Sequence, residues 1–144
     1  KIAEIKNNPR MHIPVFGNGD VNSPEKAKVM RDEYGLDGAM IGRASIGNPW
    51  FFNQVKHYLK TGRKIEEPTI AERAEMAIRH LKMAIDWKGD VLGVLETRRH
   101  YGTYFKGIAN FKETKSKILR ENDPATILHE LELVKKTFFE KELV

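Results

Sequence analysis

The chain has 144 residues, 40% of them hydrophobic and 31% charged, with a formal net charge of +5 at pH 7. That is the size of one ordinary domain or of two small units, and no run of about 18 apolar residues offers a membrane span. Cysteine is absent, which excludes disulfides, thiolate metal sites and a cysteine nucleophile within this chain; the expected compartment is the cytoplasm.

The opening stretch KIAEIKNNPRM has no initiator Met and reads as the end of a helix, as expected for the C-terminal part of a longer protein. Ile13–Phe16 reads as a short buried strand that runs straight into Gly17-Asn18-Gly19-Asp20. Ser23-Pro24-Glu25 then opens a helix, with Ser as N-cap, Pro in the first turn and Glu at the positive end of the helix dipole. Ala27, Met30 and Tyr34 give that helix an apolar face, and Gly35 stops it. Ala39–Ile41 is a second apolar strand. Strand, helix and strand in this order form a βαβ unit, so the strands are expected to be parallel and covered on both faces.

Asn48-Pro49 is expected to cap the next helix, PWFFNQVKHYLK, which Thr61-Gly62 ends; Trp50, Phe51 and Phe52 are read as packing residues. The polar stretch 62–68 is the preferred boundary, dividing the chain into 1–62 and 63–144. Beyond it the periodicity is helical throughout. Thr69 with Glu72 predicts a capping box, and Ile70, Ala74, Ile78 (or Ala77), Leu81 and Ile85 predict a core stripe. A further helix is expected over about Val91 to Phe105, ending near Gly107. Asn110 with Glu113 predicts another box, and Asp123-Pro124 caps a last helix with a seam of Ile127, Leu131, Val134 and Phe138. Four helices with short connections predict a small antiparallel bundle.

The chemistry gathers at the two strand ends. In parallel α/β folds ligands bind beyond the carboxyl ends of the strands, and barrels repeatedly place a phosphate between the loops after their last two strands. Here one loop carries Asn18, Gly19 and Asp20, and the other Gly42 and Arg43. Glycine lets backbone N–H groups approach an anion, the Arg43 guanidinium offers a fork of donors to phosphate, and Asn18 and Asp20 suit a polyol.

Between 98 and 120 there are seven Lys or Arg residues and one acid, Glu113. Such a segment attracts phosphate backbones. Arg98, Arg99, Lys106, Lys112, Lys115, Lys117 and Arg120 are candidates as a patch rather than one by one. His57, His80, His100 and His129 are scattered, and no metal site is predicted.

IPVFGNGDVNSPEKA, YGLDGAMIGRASIGNPWFF and RRHYGTYFKGI, in that order, resemble the C-terminal part of a tRNA-dihydrouridine synthase of the bacterial B-type branch. The resemblance implies an FMN enzyme that reduces the C5=C6 bond of particular tRNA uridines with NADPH. It also implies the fold: an N-terminal TIM (β/α)₈ barrel, of which 1–62 would supply strands 7 and 8, followed by a helical tRNA-binding domain over 63–144. By this resemblance Asn18, Gly19 and Asp20 line the ribityl-phosphate region of FMN, and Gly42 and Arg43 bind the phosphate.

The family's R-K-H-x-x-W-Y-x-K-G element falls on Arg98, Arg99, His100, Thr103, Tyr104, Lys106 and Gly107. Arg99 replaces a Lys and keeps the charge, whereas Thr103 replaces an aromatic ring. Arg98, Arg99, His100, Lys106, Lys112 and Lys115 are the expected RNA contacts. The family's general acid is a cysteine on an earlier segment, so no catalytic residue is expected here. The 144 residues alone are expected to be inactive and to hold no FMN tightly. The cut barrel strands are expected to be disordered, rearranged or paired with another copy. Two alternatives stay open: another FMN-barrel oxidoreductase acting on a small molecule, and a non-catalytic RNA-binding module.

Overall fold

A computed structural model describes residues 1–142. The backbone divides into two compact units, Lys1–Glu66 and a second from Glu67 onward. Among the described residues no helix is long and apolar enough to cross a membrane.

The first unit contains helix α1 (Ile2–Lys6), strand β1 (Phe16–Gly17), helix α2 (Pro24–Asp32), strand β2 (Gly38–Ala39) and helix α3 (Phe51–Thr61). The local signals around α2 act as their chemistry requires. The Lys26 amide donates to Ser23 Oγ at 3.3 Å, and Pro24 occupies the first helical position, where no N–H is needed. β1 and β2 pair in parallel, with Phe16 opposite Gly38 and Gly17 opposite Ala39. Asp37 anchors the start of the pair. Its carboxylate accepts from the Val15 amide at 2.7 Å and from Lys6 Nζ at 2.5 Å, and its own amide donates to the Val15 carbonyl at 3.0 Å. Lys6 and the Val15 amide hold the Asp37 carboxyl below its usual range. The core is Val21, Ala27, Phe51 and Val55, with Met30, Ala39, Ile41, Ala44 and Leu59 packed against it.

Three sequence expectations change in this unit. The strands are shorter than the apolar runs, and of Ile13–Phe16 only Phe16 lies in β1. Pro14 has no N–H to give a ladder, and a two-stranded sheet offers each strand a single neighbour. Ile13 and Phe16 are consequently 69% and 65% exposed, and Met40 is exposed too. The Asn48 side chain caps nothing: Pro49-Trp50 form a turn, α3 starts at Phe51, and Asn48 accepts the Phe51 amide through its carbonyl at 3.3 Å. Phe51 enters the core, whereas Phe52 is exposed.

The second unit is helical. The stretch Ile70–Tyr104 (α4) is broken at Gly89, whose φ of 77° and ψ of 169° favour a residue without Cβ. The arms 70–88 and 90–104 run back along one another: Lys88 Nζ meets Glu96 Oε2 at 2.5 Å, His80 Nδ1 lies 3.3 Å from the Tyr104 hydroxyl, and Arg73 Nη1 donates to the Lys106 carbonyl at 3.3 Å. The arms come into close backbone approach at Gly93. A Cβ there would lie 2.8 Å from both Cα and N of Ile85. Helices α5 (Lys112–Arg120) and α6 (Pro124–Glu142) follow.

Both halves of the Thr69–Glu72 capping box form, at 3.2 and 2.8 Å. Asp123 Oδ2 accepts the Thr126 amide at 2.9 Å. The Asn110–Glu113 box does not form. Asn110 has φ of 56°, not the extended backbone an N-cap needs, and the Phe111 ring packs 4.9 Å from Phe105 instead. Ala74, Ala77, Ile78, Leu81, Val94, Tyr101, Ile118, Ile127, Leu131 and Val134 are buried, while Ile70, Ile85 and Phe138 are half-buried.

Alanine in place of glycine inside an exposed helix stabilises by about 1 kcal/mol. At position 93 the added methyl meets backbone that cannot rotate away, so Gly93→Ala should instead destabilise by about 1–3 kcal/mol. A lowered urea midpoint for G93A checks this; a raised midpoint contradicts the close approach.

Candidate functional site

Because β1 and β2 are parallel, the loops that follow them leave from the same edge. They meet around a polar cavity of about 260 Å³ lined by Asn18, Asp20, Val21, Asn22, Gly42, Arg43 and Ala44. The structure thus brings together four of the five predicted cofactor residues. Gly19, the fifth, turns the first loop with φ of 153°, followed by Asp20 at 46°. Beyond Gly42 the chain makes a 3₁₀ turn, Arg43–Ser45, in which Ser45 Oγ donates to the Gly42 carbonyl at 2.8 Å.

Arg43 and Asp20 form an ion pair across the two loops, through Nη2 and Oδ1. The Arg43 side chain keeps 83% of its exposure, so its remaining donors face solvent. Lys26, which the sequence reading passed over, sends Nζ from the first turn of α2 to the Asp20 carbonyl at 3.1 Å. Arg43 thus meets the carboxylate of Asp20 and Lys26 its backbone carbonyl. The cavity falls just below the range of about 300–1,000 Å³ common for small-molecule sites. It fits the phosphate end of a nucleotide cofactor rather than a whole one.

The structure separates the predicted basic residues of the second unit by role. Arg98 is committed within the fold, its Nη2 donating at 2.6 Å to both the Glu121 carbonyl and Asn122 Oδ1. It thereby ties α4 to the turn between α5 and α6. Lys117 pairs with Glu130 at 2.5 Å. Arg99, Lys106, Lys112 and Arg120 are exposed and Lys115 is half-buried. Arg99 Nε donates to His100 Nε2 at 3.2 Å.

His100 in turn meets His80 edge-on, with ring centroids 4.4 Å apart. These two histidines are thus a pair across the arms of α4 rather than scattered. Burial, then His80 and Arg99, push His100 down to about 4 from the usual 6.5. Burial and Arg99 also lower His80. Both rings are therefore neutral at pH 7. Beside them is a cavity of about 540 Å³, lined also by Met83, Trp87, Lys88, Glu96 and Arg99. Trp87 carries no periodic signal. Its only mark in the sequence is its place in IDWKGD, just before the Gly89 break.

Comparison with known proteins decides the family. The family model for dihydrouridine synthase (Dus) matches residues 1–141. The chain belongs to the dihydrouridine synthase family. It is 38% identical over 115 residues to a probable tRNA-dihydrouridine synthase of Rickettsia conorii, a match covering 80% of this chain and 35% of that protein. It is 41% identical to tRNA-dihydrouridine synthase B of Pseudomonas putida, covering 73% of this chain and 31% of the relative. Against the corresponding Shewanella oneidensis protein the values are 42%, 72% and 31%. This dihydrouridine synthase chain thus spans about a third of the relatives it matches.

The depressed histidine has a consequence for stability. Below 6.5 the unfolded chain takes up a proton at position 100, whereas the folded chain does not until about 4. Stability therefore falls as pH drops through that window. Thermal unfolding between pH 7 and 4 should show a declining midpoint, with a smaller decline in His100→Gln. An equally steep decline in the variant contradicts the assignment.

Proposed function

We propose that the chain is the C-terminal part of an FMN-dependent tRNA-dihydrouridine synthase, which reduces the C5=C6 bond of particular tRNA uridines with NADPH as reductant. The observation that carries this is the meeting of Asn18, Asp20, Gly42 and Arg43 at one strand edge in a chain of this family. Flavin, when bound, supplies hydride to the uridine ring. The residues of this chain do the holding. Arg43 and Lys26 supply positive charge for the phosphate, Gly19 and Gly42 let the backbone come close, and Asn18 and Asp20 offer partners to the ribityl hydroxyls. A phosphate competes with Asp20 for Arg43, so cofactor loading redistributes an existing ion pair.

In this reading β1 and β2 are the last two strands of a TIM barrel, and exposed Ile13, Phe16 and Met40 face strands supplied by the rest of a longer, cytoplasmic protein. Taken alone, the 144 residues are inactive, and the open strand edge favours pairing with another copy. The unit from Glu67 onward is a helical bundle that grips tRNA. Arg99, Lys106, Lys112 and Lys115 are its phosphate contacts; Arg98 serves indirectly, by fixing the turn at Glu121 and Asn122.

The test splices these 144 residues in place of the matching C-terminal third of the Pseudomonas putida relative. The purified chimera should carry flavin absorbance, and Arg43→Ala should weaken flavin retention by about ten- to a hundredfold, the loss of a charged hydrogen bond of roughly 1.5–3 kcal/mol. A folded chimera that stays colourless contradicts the cofactor assignment. Reversing Arg99, Lys106 and Lys112 together should weaken tRNA binding and flatten its salt dependence by about one unit of slope per charge. An unchanged slope contradicts the RNA face.

A further inference from the structure

The cavity between the arms of α4 includes none of the cofactor-loop residues and, of the proposed phosphate contacts, Arg99 at its edge. Its most unusual feature is Trp87, 80% exposed at the rim. Lys88 Nζ lies 4.6 Å from the centroid of the indole and is held there by Glu96 at 2.5 Å. A fixed cation thus stands over the ring, and the residue as a whole remains 80% exposed. Met83, 61% exposed, extends the apolar surface beside it. The polar part of the lining is the neutral pair His80 and His100, with Arg99 at its edge.

We propose that this cavity takes an unstacked nucleobase of the RNA, with Trp87 as the stacking platform and the neutral His80–His100 pair as its polar wall. The proposal rests on the reading of the helical unit as an RNA-binding one. Three observations favour a base over a phosphate or a protein side chain. The charged lining residues balance, Lys88 and Arg99 against Asp86 and Glu96, so the cavity does not concentrate an anion. A flat aromatic surface accepts any base, because every base has a π-face. The neutral His80–His100 pair makes one wall polar without the cost of burying a charge beside the base. The volume of about 540 Å³ lies in the range of small-molecule sites and admits one base with its sugar.

Binding of the 144-residue chain to unmodified tRNA and to a short oligouridylate at fixed low salt tests this, using W87A, W87F and K112E. Trp87 is exposed, so its truncation leaves the core intact, and an unchanged thermal midpoint verifies that. W87A should weaken both RNAs about fivefold or more with the salt slope unaltered, and W87F should recover most of the loss. K112E should lower the slope instead. If W87A binds within about twofold of the parent chain while K112E does not, the pocket is overturned and the RNA reading stands. If the parent chain binds neither RNA, the pocket and the RNA reading fall together.

Discussion

The Met40 amide donates to the Gly17 carbonyl at 2.7 Å, continuing a pairing that begins where Asp37 meets Val15. These few bonds hold two very short strands parallel and in register. Parallel pairing sends both following loops off the same edge. Without it, Asn18–Asp20 and Gly42–Arg43 would be two unrelated turns. With it, Arg43 reaches Asp20, Lys26 supports the same loop, and a polar cavity forms between them. The chemistry proposed for the first unit follows from that geometry.

The second unit depends on an equally small feature. The absence of a side chain at Gly93 lets the arms of α4 come into backbone contact at Ile85. That approach brings His80 against His100 and Tyr104 and sets Lys88 beside Glu96. Cavity and histidine pair alike are products of the hairpin. Arg98 shows the same logic from the other side. It is a cation in a basic segment, yet the fold spends its guanidinium on a turn some 23 residues away in sequence. The basic character of 98–120 is therefore divided between holding the fold and facing solvent.

Local chemistry was the most legible part of the sequence. Ser23-Pro24, Thr69 with Glu72, and Asp123 all cap as written, because each acts on amides within three or four residues. The βαβ order predicted parallel strands for a reason equally close to the chain: the connection is one helix. Asn48 and Asn110 failed as caps because the turn at Pro49-Trp50 and the packing of Phe111 against Phe105 decide those backbones. Strand length was misjudged because apolar runs report what a strand expects to touch, and Ile13 and Phe16 have too little to touch in this unit. The two polar loops were legible as motifs, whereas the contact of Lys26 with Asp20 was not, since it depends on where α2 begins. Trp87 and the His80–His100 pair were invisible for a similar reason. They join across a hairpin whose register no spacing rule gives.

The central proposal is that this chain, a member of the dihydrouridine synthase family, completes a flavin site and an RNA grip in a tRNA-dihydrouridine synthase. The most direct measurement is the dihydrouridine content, by mass spectrometry, of tRNA from cells whose only dihydrouridine synthase is the Pseudomonas putida relative carrying these 144 residues as its C-terminal third. The account predicts that dihydrouridine is formed. A soluble chimera that retains flavin and binds tRNA, yet leaves every uridine unreduced, would contradict it.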